Sequence, residues 1–241
     1  MGHNLKKTAL ILGGSSDIGL QVVSKFLDNG WKVISHYNKN NKFLKKIKKD
    51  HNKNLILFKS DFEKYNSLNS FLKKIKSFDI SSYVNLVGYI DNISFEKANL
   101  ENMTKCVQIN TLIPILIQKN LIKKMEKSKF GRILHVSSIG VKYGGGNSTF
   151  NYSFSKHSLE FISSHMKNLI KHNLLTNILR VGVVKTKMIK KIKNKNINQR
   201  INLIPIKRSA KKKEISDMIY FLASENNTYI ANEKITIAGG E

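Results

Sequence analysis

Apolar residues fall into short dense runs separated by longer stretches in which they recur every three or four positions. The runs at 8–12, 32–36, 55–59, 83–87, 132–137, 177–181 and 234–237 read as strands. Several are apolar throughout, as strands covered on both faces should be. Stretches near 17–29, 39–49, 67–76, 100–127, 152–174 and 213–223 carry helical spacing. Seven strands alternating with helices indicate βαβ units, a parallel sheet and right-handed crossovers. The expected fold is a single α/β domain over 1–241, a doubly wound parallel sheet of about seven strands flanked by helices. No internal repeat and no Pro- or Ser-rich linker divides it, and the prolines are Pro114 and Pro205.

Composition changes this picture at one point. Lys and Arg number 42 against 16 Asp and Glu, a formal charge of +26. Such a charge invites a nucleic-acid reading. Arg, however, occurs only at 132, 180, 200 and 208, and proteins that read phosphates and bases favour the Arg fork. The Lys runs at 45–49, 73–76 and 123–129 lie inside helical stretches whose complementary positions hold Phe43, Leu44, Ile47, Phe71, Leu72 and Ile75, the pattern of helices with one wet face. No nucleic-acid partner is expected. At 187–200, Lys190, Lys191, Lys193, Lys195 and Arg200 crowd a segment of weak periodicity, read as a lid or loop.

Cys106 is the single cysteine, which excludes a disulfide scaffold and suits a reducing compartment. No apolar run approaches the roughly 20 residues of a membrane helix. The segment 5–12, broken by Lys6 and Lys7, is too short for a secretory core. A cytoplasmic protein without membrane partner or metal site is expected.

Candidate chemistry begins after the first strand, at Gly13-Gly14-Ser15-Ser16-Asp17-Ile18-Gly19. Glycines between a strand and a helix let the backbone approach a pyrophosphate, which the free N–H groups of the helix start stabilise. Asp17 is out of place beside phosphates, and is expected to accept a backbone N–H and face away. The second strand ends in His36-Tyr37-Asn38-Lys39, with no acidic group to hold the ribose 2′-OH of NAD. Asn38 and Lys39 suit a 2′-phosphate, so NADP(H) is favoured over NAD(H).

Tyr152-Ser153-Phe154-Ser155-Lys156 opens a helical stretch that puts Tyr152 and Lys156 on one face. A free tyrosine, with a pKa of about 10, is a poor acid or base at neutrality. A neighbouring ammonium is expected to lower that pKa and fit the phenol for proton transfer at a carbonyl oxygen. Ser138 ends a strand at its carboxyl edge, where open α/β sheets bind ligands, and its hydroxyl can bond a developing oxyanion. The Gly144-Gly145-Gly146 loop lets the chain return to that edge.

With these motifs together, nearly the whole chain resembles the short-chain dehydrogenase/reductase family, of Rossmann-type fold. Residues 13–19 resemble its glycine motif, Tyr152 to Lys156 its Tyr-x-x-x-Lys, and Ser138 its active serine. Asn85-Leu86-Val87-Gly88 is similar to its Asn-Asn-Ala-Gly, with Leu86 and Val87 as departures, and Val181-Gly182 stands where Pro-Gly is usual. The resemblance implies that Asn110 completes a catalytic tetrad, holding a water that passes protons to Lys156. It further implies cofactor contacts by Gly13, Ser15, Ser16, Ile18, Gly19, Tyr37, Asn38 and Lys39. Others follow at Asp61 and Phe62 (adenine), Asn85, Gly88, Tyr152, Lys156, Gly182, Val184 and Thr186. A substrate loop near 187–203 and a homo-oligomer, tetramer or dimer, go with it.

The implied activity is NADPH-dependent reduction of a carbonyl. Length and the segment 204–208 are most similar to 3-oxoacyl-acyl-carrier-protein reductases, and a basic surface, Lys129 included, suits an acidic carrier protein. A sugar or secondary-metabolite ketone as substrate, or a catalytically silent dinucleotide-binding protein, are the alternatives.

Overall fold

The computed structural model describes residues 7–192 and 196–241, so 193–195 of the basic segment, with Lys193 and Lys195, lie outside it, as do residues 1–6. Its strands are β1 (Thr8–Leu12), β2 (Lys32–Tyr37), β3 (Leu55–Lys59), β4 (Ser82–Asn85), β5 (Gly131–Ser138), β6 (Leu174–Val181) and β7 (Lys234–Ile237). They form one parallel sheet in the order β3-β2-β1-β4-β5-β6-β7. The order reverses between β1 and β4, so the crevice at the carboxyl ends of those strands is where a ligand belongs.

The helices are α1 (Asp17–Asp28), α2 (Lys42–Asp50), α3 (Tyr65–Ile75), α4 (Leu100–Val107), α5 (Ile113–Ser128), α6 (Phe150–His165), α7 (Lys187–Lys190), α8 (Ile197–Asn202) and α9 (Lys212–Ala223). Strand alternation sorts the core into two layers. Ala9, Ile11, Leu179 and Val181 pack with Val22, Phe26 and Ile219 of α1 and α9. Leu10, Leu12 and Ile178 pack with Phe71, Ile117 and Ile162 of α3, α5 and α6.

The helix expected over 100–127 is present but interrupted. A π-helical turn, Gln108–Leu112, joins α4 to α5, and Pro114 sits in the first turn of α5, where its missing N–H costs little. Asn110 occupies the centre of the π turn, as such turns often carry functional residues. The helix expected over 152–174 gives way at Met166–His172 to tighter 3-10 geometry. Lys129, the basic residue considered for a carrier protein, precedes the amino end of β5, whereas Ser138 closes its carboxyl end.

Candidate active site

The turn after β1 is built by its glycines and by a histidine. Gly13 takes a φ of 72°, and its N–H donates to Nδ1 of His36 at 3.2 Å. Nε2 of His36 then donates to the Ser60 carbonyl at 3.0 Å. Ser16 caps α1, accepting the Gly19 N–H at 3.1 Å and donating to the Gly13 carbonyl at 2.8 Å. The first-turn amides of α1 lack intrahelical partners, and Ser15, Ser16, Asp17 and Ile18 line a cavity of about 620 Å³. Asp17 lines that cavity with its carboxylate engaged. Its Oδ2 accepts the Lys187 N–H at 2.6 Å, and Lys212 lies 3.7 Å from Oδ1. The carboxylate therefore clasps the start of α7, in the substrate segment, to the glycine turn.

The same cavity is lined by Ser138, Tyr152 and Lys156. Ser138 accepts the Gly140 N–H at 3.1 Å, which orients its hydroxyl. Lys156 is buried, and its Nζ donates to the carbonyls of Val87 at 2.7 Å and Val136 at 2.8 Å. Burial brings this ammonium down to about 7, with Glu160 acting the other way. The lowered tyrosine expected beside an ammonium is not what the site holds. Burial pushes the Tyr152 phenol up to about 12, and only the hydrogen bond with Ser138 pulls it back. The reason is that the Lys156 ammonium is 5.9 Å from the ring centroid and turned to backbone carbonyls. A phenol held protonated is a proton donor.

Asn110 is tied down through its side-chain amide. Its Oδ1 accepts the Tyr89 N–H at 2.7 Å, while Nδ2 donates to the Tyr89 carbonyl and to Ser155 Oγ, each at 2.9 Å. Both N–H groups of the amide are engaged, so its side chain braces the loop after β4 against α6. Asn85 is fully buried and does not face the cavity. Its Oδ1 accepts the Val87 N–H at 3.1 Å and its Nδ2 meets Nδ1 of His135 at 3.2 Å. With that bond the strand end keeps its shape despite Leu86 and Val87.

Gly88, Gly182, Val184 and Thr186 line the cavity as expected. Gly13 and Gly19 shape the turn behind it. Tyr37, Asn38, Lys39 and Asp61 lie beyond its lining, at the ends of β2 and β3, with Asn38 Nδ2 3.5 Å from Asp61 Oδ1. Phe62 cannot offer its ring to an adenine, because the ring is buried and stacked on His36 at 4.2 Å; only its backbone is available there. Tyr143, Met188, Ile192 and Arg200 line the cavity without having been singled out as site residues, since they come from loop and short-helix segments of weak periodicity.

A dinucleotide fits these residues. A Cβ on Gly88 would come 3.0 Å from Met188 and 3.7 Å from Tyr152, so the absent side chain keeps open the passage between glycine turn and catalytic face. The first-turn amides of α1 would take the pyrophosphate, and Lys156 the nicotinamide ribose.

Two buried histidines give the site an acid limit. Burial lowers His36 to about 4, partly offset by its bond to Ser60, and lowers His135 to about 3, with the Lys156 charge adding to burial. Unfolded, each has a pKa of about 6.5, so below that value the unfolded chain binds more protons and stability falls. The thermal midpoint should drop steadily from about pH 6.5 to 4, with uptake of about two protons on unfolding near pH 5. Calorimetry across that range checks this, and a midpoint flat down to pH 4 contradicts it.

Comparison with known proteins agrees with this architecture. Residues 13–241 match the family described as enoyl-(acyl carrier protein) reductase. The 3-oxoacyl-[acyl-carrier-protein] reductase of Buchnera aphidicola subsp. Schizaphis graminum is 29% identical over 239 residues, covering 98% of this chain and 97% of that protein. An uncharacterized oxidoreductase of Bacillus subtilis, YmfI, is 27% identical over 250 residues, covering 98% and 99%. Among solved structures, YwfH, an NADPH-dependent reductase involved in bacilysin biosynthesis, superposes with a TM-score of 0.87 at 25% identity, covering 98% of each chain.

Proposed function

The chain belongs to the short-chain dehydrogenase/reductase family, oxidoreductases acting on carbonyl and alcohol groups, and from that premise we propose that it is an NADPH-dependent reductase of a 3-oxoacyl thioester. The observation that carries the chemistry is that Ser138, Tyr152 and Lys156 line one cavity with the amino end of α1. Bound nicotinamide dinucleotide supplies the hydride. The protein's own part is positional and protonic. Ser138, its oxygen already accepting from Gly140, donates to the carbonyl oxygen and orients it. Tyr152, held protonated by burial, gives its proton to that oxygen as charge develops there. Ser138, hydrogen-bonded to the phenol oxygen, steadies the phenolate left behind, and Lys156 would hold the nicotinamide ribose.

Preference for NADPH is supported by Asn38 and Lys39, which follow β2 in sequence in place of an acidic residue, and by the cofactor named for YwfH. The thioester substrate is supported by the relatives' names, and delivery on an acidic carrier protein by the charge of +26. A homo-oligomer is supported by exposed Leu112 and Leu116 at the start of α5 and Phe154 and Phe161 on α6. A second reading, a secondary-metabolite ketone as substrate, draws on YwfH. Initial rates with acetoacetyl thioesters, sugar ketones and cyclic ketones, each with NADPH and NADH, separate them. The expected result is a kcat/KM at least about 10-fold higher for the thioester with NADPH, a difference of about 1.4 kcal/mol in transition-state binding. No turnover on any carbonyl would leave a silent dinucleotide-binding protein.

A further inference from the structure

Helix α6 carries Tyr152, Lys156 and Glu160 at successive four-residue steps, one above another on a single face. Glu160 is 1% exposed, yet no step of the reaction uses it. A buried carboxylate persists only when paired and hydrogen-bonded, and this one is. Ser137 of β5 donates to Oε1 at 2.7 Å. Arg180 of β6 grips both oxygens, Nε at 2.9 and 3.1 Å and Nη2 at 2.5 Å. Glu160 thus fastens α6 to two strands, and residue 136, next to Ser137, is the one whose carbonyl receives Lys156.

A buried pair contributes little net stability compared with apolar residues of the same shape. Its field is another matter, because one helical turn from a buried ammonium a carboxylate acts through a medium of low polarity. The other groups around Lys156 do not supply that charge. On α6 there is the neutral phenol of Tyr152, and on β5 His135, held neutral by burial between Asn85 and Gln118. The loop after β4 offers the Val87 carbonyl. On β6 there is Arg180, itself a cation. At the cavity wall, Asp17 is engaged with Lys187 and Lys212, and Arg200 with Glu241.

Resting on the reductase reading above, we infer that Glu160 is a positioning residue for the reaction: locked by Arg180, it keeps α6 in register and holds Lys156 in its ammonium form. Burial favours the neutral amine, and Glu160 is the group acting against it.

The test reads Lys156 directly. In protein labelled with [ε-13C]lysine, the resonance missing from K156M is titrated by NMR in the wild type, in E160Q and in E160Q/R180Q, which also removes the guanidinium left without its partner. The midpoint should fall in both Glu160 variants, by about one pH unit in E160Q, where the Arg180 cation is left unpaired, and by less in E160Q/R180Q. The alkaline limb of kcat/KM should move down with it, since the amine loses its proton earlier. The double variant guards against a failure of E160Q to fold. Midpoints that stay in place while kcat and melting temperature fall would reduce the pair to packing and overturn the inference. A wild type inactive on every carbonyl removes the reductase reading instead, and leaves the Lys156 midpoint measurable.

Discussion

Tyr152→Phe should lower kcat by roughly 10³-fold with NADPH and ketone, the range expected for loss of a positioned general acid. The substitution removes one oxygen from a half-buried ring and leaves its packing in place. Dissociation of NADPH, followed by quenching of protein fluorescence, should change by no more than about twofold, because the pyrophosphate seat is built from the amides of α1 and not from Tyr152. The two readouts together are decisive. A variant that kept wild-type turnover would show that the proton comes from elsewhere, Ser138 being one of the other hydroxyls that line the cavity. A variant that lost NADPH binding as well as turnover would mean that the phenol oxygen holds the cofactor rather than serving the carbonyl. Since the phenol is pushed up to about 12, proton donation should persist well above neutrality, and the alkaline limb of the profile then belongs to Lys156.

The layered sheet was legible because its strands are short, β-rich and separated by helices of ordinary length. Where the outline slipped, a side chain inside an element had taken over backbone bonding. At 83–87 the strand stops at Asn85, since the Asn85 amide captures the Val87 N–H that the ladder would have used. At 100–127 the apolar spacing is continuous, and nothing in it marks the π turn. That turn exists because Asn110 bonds both backbone groups of Tyr89, 21 residues earlier. Such long-range bonds have no signature in local periodicity.

The site followed the same division. Tyr152, Lys156, Ser138 and the glycine turn were readable because their chemistry depends on spacing within one turn or at one strand end. His36 was read as part of a strand terminus, yet it is the acceptor that fixes Gly13. Only the parallel pairing of β1 with β2 brings the two together. Phe62 was read as a contact for adenine; its ring turns inward and stacks on His36, which leaves its backbone for such a contact. Arg180 and Glu160 sit on different elements, and charge counts treat them as two more surface groups. The weakly periodic 187–203 concealed α7 and α8, of four and six residues, too short for a helical pattern to emerge.

Gly19→Ala should abolish measurable NADPH binding, raising the dissociation constant by at least about 10²-fold, or about 2.7 kcal/mol. A Cβ there would fall 2.4 Å from the Gly13 carbonyl oxygen, 2.7 Å from Gly14 Cα and 2.8 Å from Gly14 C. All three are backbone atoms, so no side chain can swing aside. The turn must lift away from α1 and take with it the amides of Ser15 and Ser16, which line the cavity. Overpacking of this kind costs about 1–3 kcal/mol of stability, and for a chain of 241 residues each kcal/mol lowers the melting temperature by roughly 2–4 °C. Gly30→Ala provides the contrast. Gly30 also takes a positive φ, 79°, but its Cβ would meet nothing within 4 Å, and it ends α1 far from the cavity. That variant should lose only the roughly 1 kcal/mol of a strained backbone and bind NADPH as the wild type does. Equal NADPH affinity in Gly19→Ala and Gly30→Ala would show that the pyrophosphate is not seated on the turn between β1 and α1. A loss confined to Gly19→Ala places it there, because melting temperature falls in both variants and only one of them disturbs the amides at the helix start.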